Sequence, residues 1–237
     1  MTDRPDALAD LADRYGLPPA VVEPLRTLLE LLADPTAPTS VHDRDESVRI
    51  HLADSLVGLQ VPDVPAATVL ADLGAGAGLP GLVLAAALPD TRVVLVESVG
   101  RKCDFLRAAV AAMGLDRTEV VQARAEEWRD GLGRCDVVCA RALAALPVLC
   151  EYAAPLLRHG GVLVAWKGTI DAGEAADGAA AAERVGLSPE AVLPVTPYRG
   201  SERRTLHVLR KTAPTPPEFP RRPGMATKRP LSATKAR

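Results

Sequence analysis

Aromatic residues make up only 3% of this 237-residue chain, which also has just four cysteines, four histidines and three methionines. So few rings exclude an RNA module built on rows of stacking platforms. Cys103, Cys135, Cys139 and Cys150 form no CxxC pair and, with so few histidines, no zinc-ligand spacing. No metal is expected; free buried thiols in a reducing cytoplasm are. No apolar run approaches the roughly 20 residues that cross a bilayer. The opening MTDRPDALAD is mixed in charge and lacks the apolar stretch of a secretory signal, so no membrane partner is expected. With 48% hydrophobic and 24% charged residues the composition is that of a globular chain, which excludes a collagen, a disordered chain and a disulfide miniprotein.

The net charge of −2 conceals an asymmetry. From Arg199 onward eleven Lys and Arg face only Glu202 and Glu218, a net of +9, which leaves −11 on residues 1–198. A basic end on an acidic body suits contact with a polyanion, although a solvated tail would look the same.

Two grammars follow one another along the chain. After Pro18-Pro19, Val21, Val22, Leu25, Leu28, Leu29 and Leu32 recur at helical spacing, and a second helix is predicted from Asp45 to Leu59. Beyond the proline-rich joint at 62–65, short apolar strands are predicted near 68–73, 92–97, 119–123, 135–140 and 161–166, with helices near 79–88, 100–113, 143–157 and 172–185. That alternation predicts βαβ units in a doubly wound, mostly parallel sheet. Runs near 190–196 and 205–211 have no helix between them and read as an antiparallel hairpin at the sheet edge. The expected organisation is a helical extension over 1–62, an α/β domain over 63–212 and an extended Pro- and Arg-rich tail over 213–237.

The strongest local signal is Asp72-Leu73-Gly74-Ala75-Gly76-Ala77-Gly78-Leu79-Pro80-Gly81, between a strand and a helix. Glycines at 74, 76 and 78 allow positive φ and close approach of a nucleotide. Glu97 closes the next strand, where a carboxylate can accept both ribose hydroxyls. The run also matches the dinucleotide fingerprint. Asp72, however, sets a negative charge where a pyrophosphate would lie, and that charge suits the ammonium of S-adenosylmethionine. The terminal hairpin likewise suits a methyltransferase sheet better than an all-parallel one. Ala123-Arg124-Ala125-Glu126-Glu127, after the third strand, is placed to meet an adenine edge, though ARAEE alone reads equally as acids at a helix start.

The fourth strand runs Asp136 to Ala140 and is followed by Arg141, Ala142 and Leu143. It carries neither Asn/Asp-Pro-Pro-aromatic nor Pro-Cys, so methylation of an exocyclic amine or of pyrimidine C5 is not indicated. No general base is assigned. Arg141 can orient a carboxylate, phosphate or carbonyl oxygen, or form a structural ion pair. A guanine N7 needs no base, since its lone pair takes a methyl group without losing a proton. His51, Asp54 and Ser55 share a helix face, and Lys167, in WKG, points to the same sheet edge as Arg141. His51, Lys167 and Arg141 are the positioning candidates.

Together HLADSL (51–56), DLGAGAGLPG (72–81), VESVGRKCDFL (96–106), ARAEE (123–127), CARALAAL (139–146), WKG (166–168) and FPRRPGMATKRPL (219–231) resemble the bacterial small-subunit rRNA guanine-N7 methyltransferases, the glucose-inhibited division protein B family. The resemblance implies a class I S-adenosylmethionine-dependent methyltransferase fold, Rossmann-like, with an N-terminal helical extension. It also implies methyl transfer to N7 of a guanine in 16S rRNA, with S-adenosylhomocysteine as product. By motif it places Gly74, Leu79, Ala125, Glu126 and Arg141 at the cofactor, beside Asp72, Gly76, Gly78 and Glu97 from the reading above. Thr36-Ala37-Pro38-Thr39-Ser40 departs from the Asn-Leu-Thr-like stretch usual before HLADSL. Partners expected are 16S rRNA, the small ribosomal subunit or an assembly intermediate, approached by a monomer. Arg199, Arg203, Arg204, Lys211, Arg221, Arg222, Lys228 and Arg229 are the candidate RNA contacts, on a basic tail that orders on phosphate. The alternatives are a nicotinamide-dependent oxidoreductase, for which no hydride-transfer acid is evident, and a non-catalytic RNA-binding assembly factor.

Overall fold

The computed structural model describes residues 7–233. Seven strands form one sheet: β1 Val69–Leu73, β2 Arg92–Glu97, β3 Thr118–Gln122, β4 Cys135–Arg141, β5 Leu157–Lys167, β6 Leu187–Val195 and β7 Arg204–Lys211. Their order is β3-β2-β1-β4-β5-β7-β6. The first five run parallel, and β7 lies antiparallel between β5 and β6. The chain reverses direction between β1 and β4, and such a switch point opens a crevice at the strand C-termini.

Alternation along the strands sorts side chains to two faces. Leu70, Leu95, Val137, Cys139, Val164 and Leu206 pack on one face against α1 Ala7–Arg14, α2 Val22–Ala33, α5 Gly81–Ala87 and α6 Gly100–Ala112. Ala71, Val94, Val138, Leu163 and Leu209 pack on the other against α7 Leu146–Ala153 and α8 Ala172–Val185. Buried on both sides, the parallel strands read as near-continuous apolar runs. The N-terminal helices therefore share the core of the sheet. The four cysteines are buried free thiols. Among the described residues no helix is long and apolar enough to cross a membrane.

The second predicted helix is real but irregular. It is built from α3 Arg44–Ser47, a π-helical stretch Val48–Ala53, α4 Asp54–Leu56 and a 3-10 turn Val57–Gln60. Asp43 caps its start by accepting from the Glu46 amide. A wide turn inside a helix often marks a functional position, and this one carries His51.

The expectation of an extended tail is corrected by the structure. Residues 213–233 fold back over α7, with a short α9 at Met225–Lys228, and bury Phe219, Ala226 and Leu231 in the second face of the core. Glu151 on α7, wholly buried, receives the Arg221 guanidinium in a fork, with contacts of 2.8 and 2.5 Å. Three apolar side chains and one buried carboxylate hold the segment down, which composition and lack of periodicity did not reveal.

Candidate active site

The glycine turn is shaped by positive φ at Gly74 (67°), Gly76 (58°) and Gly78 (85°). At Gly78 a side chain is excluded twice, because an added Cβ would also lie 2.2 Å from Leu82. The turn is tied to β2: the amides of Gly74 and Ala75 both donate to the Val96 carbonyl. Glu97, 5% exposed, accepts from Gly76 N at 3.1 Å and from Val99 N at 2.9 Å. It thus fixes the rim of the turn with the carboxylate expected at a ribose.

Asp72 lies beneath this turn and is 1% exposed. Its Oδ2 accepts from Gly81 N at 2.8 Å, while Oδ1 has no partner. Burial pushes its pKa up to about 7, against the lowering effects of the Gly81 amide and Arg141. Between about pH 4 and 7 the folded chain retains a proton that the unfolded chain has released. Stability from this group therefore falls as pH rises through that window. Melting curves across pH 4 to 8 should show the decline, and Asp72→Asn should flatten it; an unchanged profile in the variant would overturn the assignment.

β4 delivers Arg141 to the same sheet edge. Alternation puts Asp72, Glu97 and Arg141 on the face covered by the N-terminal helices, at the ends of three adjacent strands. Arg141 donates to Asp54 Oδ2 at 2.7 Å and to the Ile50 carbonyl at 3.3 Å. Asp54 is fully buried and also has Arg204 Nε 3.5 Å from its second oxygen. Trp166, opposite Arg141 on β5, donates its indole N–H to the Asp54 carbonyl at 2.7 Å. His51 Nε2 is 2.9 Å from the Thr39 hydroxyl. Burial, then the nearby Arg141 charge, pull the His51 pKa down to about 4, so the ring is neutral at physiological pH. Directly after Arg141, Ala142 takes φ 53°, a left-handed conformation that costs a residue with a Cβ about 1 kcal/mol. That turn carries the exposed Leu143, whose methyl would lie 2.6 Å from a Cβ at Gly74.

Several sequence expectations land elsewhere. Lys167 shares the edge with Arg141 but faces the opposite side, because Arg141 pairs in register with Trp166. There it bonds Glu174 at 2.6 Å and the Ala144 carbonyl at 3.2 Å, securing the loop after β4. The Glu126 carboxylate, 6% exposed, accepts from Gly224 N of the C-terminal segment at 3.0 Å, so its side chain turns to the tail. Leu79 lies in the glycine turn after β1, and Ala125 opens the short helical turn after β3. Two expected RNA contacts are corrected: Lys211 is 5% exposed and bonds Val185 O and Thr215, and Arg221 is committed to Glu151. Burial draws the Lys211 pKa down to about 8. Arg199 and Arg203 stand exposed on the β6–β7 turn with Arg204 half-buried beside Asp54, while Arg222, Lys228 and Arg229 are exposed on the C-terminal segment. Asp54 and Glu151 are the groups whose roles sequence reading missed. An acid alone in an apolar stretch, as in PVLCEYAAPLL, implies a buried cationic partner but does not say which.

The chain matches the family described as GidB, rRNA small subunit methyltransferase G, over residues 25–198. A ribosomal RNA small subunit methyltransferase G from Moorella thermoacetica is 39% identical over 199 residues, covering 81% of this chain and 82% of its own. Its counterpart from Rubrobacter xylanophilus is 46% identical over 187 residues, covering 76% and 72%. Among solved structures, a SAM-dependent O-methyltransferase from Thermotoga maritima superposes with a TM-score of 0.55 at 14% identity, over 80% of this chain and 72% of that one. That likeness concerns the fold: a class I methyltransferase sheet.

Proposed function

This chain belongs to the GidB family of small-subunit rRNA methyltransferases, and from that premise we propose that it transfers a methyl group from S-adenosylmethionine to N7 of a guanine in 16S rRNA. The observation that carries the reading is the alignment of Asp72, Glu97 and Arg141 on one face, around a glycine turn at the switch point of the sheet. The donor set fits the cofactor: Asp72 keeps a buried carboxylate oxygen without a partner, which an ammonium satisfies. Glu97 would hold the ribose, and the turn at Gly74 to Leu79 would let the backbone come close to the ligand. The segment at Ala125 would border the adenine. Bound S-adenosylmethionine supplies an electrophilic methyl on a sulfonium.

The chain's own task is then alignment. N7 of guanine attacks with its lone pair and releases no proton, so the step asks no general base of the site. Arg141 is clamped by Asp54 through Nη1, and its Nε and Nη2 have no acceptor among the described residues. Those N–H groups can hold a carbonyl oxygen such as guanine O6 and leave N7 free. Arg199, Arg203 and Arg204 on the β6–β7 turn flank this point on one side, and Arg222, Lys228 and Arg229 flank the Glu126 side, for phosphates of the RNA. We infer a cytoplasmic place of work, where a ribosomal RNA substrate would be met.

The test is transfer from labelled S-adenosylmethionine to 30S subunits and to naked 16S rRNA, both from cells lacking this gene, with the product mapped by borohydride and aniline cleavage. One cleavage at a single guanine is expected. Label without cleavage would move the methyl to another atom, and no label despite cofactor binding would overturn the assignment.

A further inference from the structure

A cleft of about 670 Å³ opens between the loop after α2 and the start of α6. One wall is Thr36 to Ser40; the other is Arg101, Lys102 and Phe105. The loop wall is held in shape, since Asp34 binds both the amide and the hydroxyl of Thr36, at 2.7 and 2.6 Å, and Thr39 accepts from Val41 N. Both walls are also fastened to the methyl-transfer site. Thr39 holds His51, in the helix whose Asp54 clamps Arg141. On the other side α6 begins three residues after Glu97.

Arg101 is exposed and Lys102 half-exposed, and among the described residues neither has an ion-pair or hydrogen-bond partner. On the same helix Arg107 is paired with Asp104 at 3.0 Å. What sets these two cations apart is that they stand side by side at a preformed cleft. Their chemistry is that of a phosphate site. The β6–β7 turn, which carries Arg199 and Arg203, meets the His51-bearing helix, where the Arg49 guanidinium lies 6.0 Å from the Tyr198 ring.

We propose that this cleft is a second RNA subsite, in which Arg101 and Lys102 hold backbone phosphate of a nucleotide flanking the target guanine while Thr36 to Ser40 line its sugar. The proposal rests on the rRNA methyltransferase reading. The strand then runs from the β6–β7 turn past Arg141 to α6, which holds the target base over the glycine turn from two sides.

The experiment compares the full chain with the double variant Arg101→Gln/Lys102→Gln and with Arg107→Gln, whose cation lies outside the cleft. Methyl transfer to the rRNA substrate and binding of that RNA across a salt series are measured, with S-adenosylhomocysteine affinity by calorimetry. The double variant should raise KM about tenfold or more, keep kcat within about twofold and reduce the salt slope of binding by about 0.7, the share of one single-strand phosphate. Its S-adenosylhomocysteine affinity should stay that of the wild type, and Arg107→Gln should change nothing. An unchanged KM and slope would overturn the subsite. So would a loss of S-adenosylhomocysteine affinity, which would assign the two cations to the cofactor. Failure of the wild-type chain itself to methylate rRNA would instead overturn the functional reading, and the subsite with it.

Discussion

Arg221→Met is expected to lower the melting temperature by roughly 10 °C. Glu151 is fully buried on α7, and Arg221 is its charged partner, through three contacts between guanidinium and carboxylate and one from the Arg221 amide. Removing the guanidinium strands a carboxylate in an apolar face, a change that typically costs about 3–5 kcal/mol. For a chain of this size each kcal/mol moves the melting point by about 2–4 °C. Removing both charges together, as Arg221→Met/Glu151→Leu, should recover most of the loss, because two apolar side chains of similar volume need no desolvation. Neutralising the exposed Arg222, Lys228 and Arg229 should leave the melting point where it was. Calorimetric melts of the four proteins decide the matter. A wild-type melting point in Arg221→Met would mean that the C-terminal segment does not stabilise the fold.

The second large effect is expected at Asp54. Its carboxylate is fully buried, pairs with Arg141 at 2.7 Å and faces Arg204 at 3.5 Å. Asp54→Ala leaves the Arg141 guanidinium without its anion, and stability should fall by about 3–5 kcal/mol. Asp54→Asn keeps the shape, and it separates positioning from folding. With Arg141 no longer clamped, methyl transfer should fall by about 100-fold in kcat, since misplacing a positioning group by 1 Å costs about that much. Arg141→Lys should behave similarly, because a point charge cannot reproduce the forked guanidinium. S-adenosylhomocysteine titration of Asp54→Asn checks that the cofactor pocket is intact. A variant with wild-type kcat would show that Arg141 needs no clamp.

Much of the architecture was legible in the sequence because its signals are local. Strand runs such as Val93 to Val96, a glycine turn between strand and helix, and the heptad-like leucines of α2 each draw their meaning from a few neighbouring residues. The positions of β1, β2 and α6 were anticipated to within about two residues of the observed bounds. The C-terminal segment was not, because its anchors are single side chains scattered among prolines. Phe219, Ala226 and Leu231 make no periodic pattern, and Arg221 looks like any other arginine until Glu151 is found beneath it.

The candidate site divides in the same way. Asp72, the glycines at 74, 76 and 78 and Glu97 were named from sequence alone, because backbone conformation and the βαβ unit constrain them within thirty residues. Which cations are available for a ligand could only be decided in three dimensions. Lys167 and Arg141 end neighbouring strands, yet a one-residue offset in register sends their side chains to opposite faces. Arg141 meets Asp54 from 87 residues away, and Glu126 meets Gly224 across 98. By itself the sequence determined the fold class, the glycine turn and the family motifs, all of which depend on short-range spacing. Tertiary structure alone decided which charges are spent on one another and which, like those of Arg101, Lys102, Arg199 and Arg203, remain for a polyanion, because desolvation and pairing depend on what packs nearby.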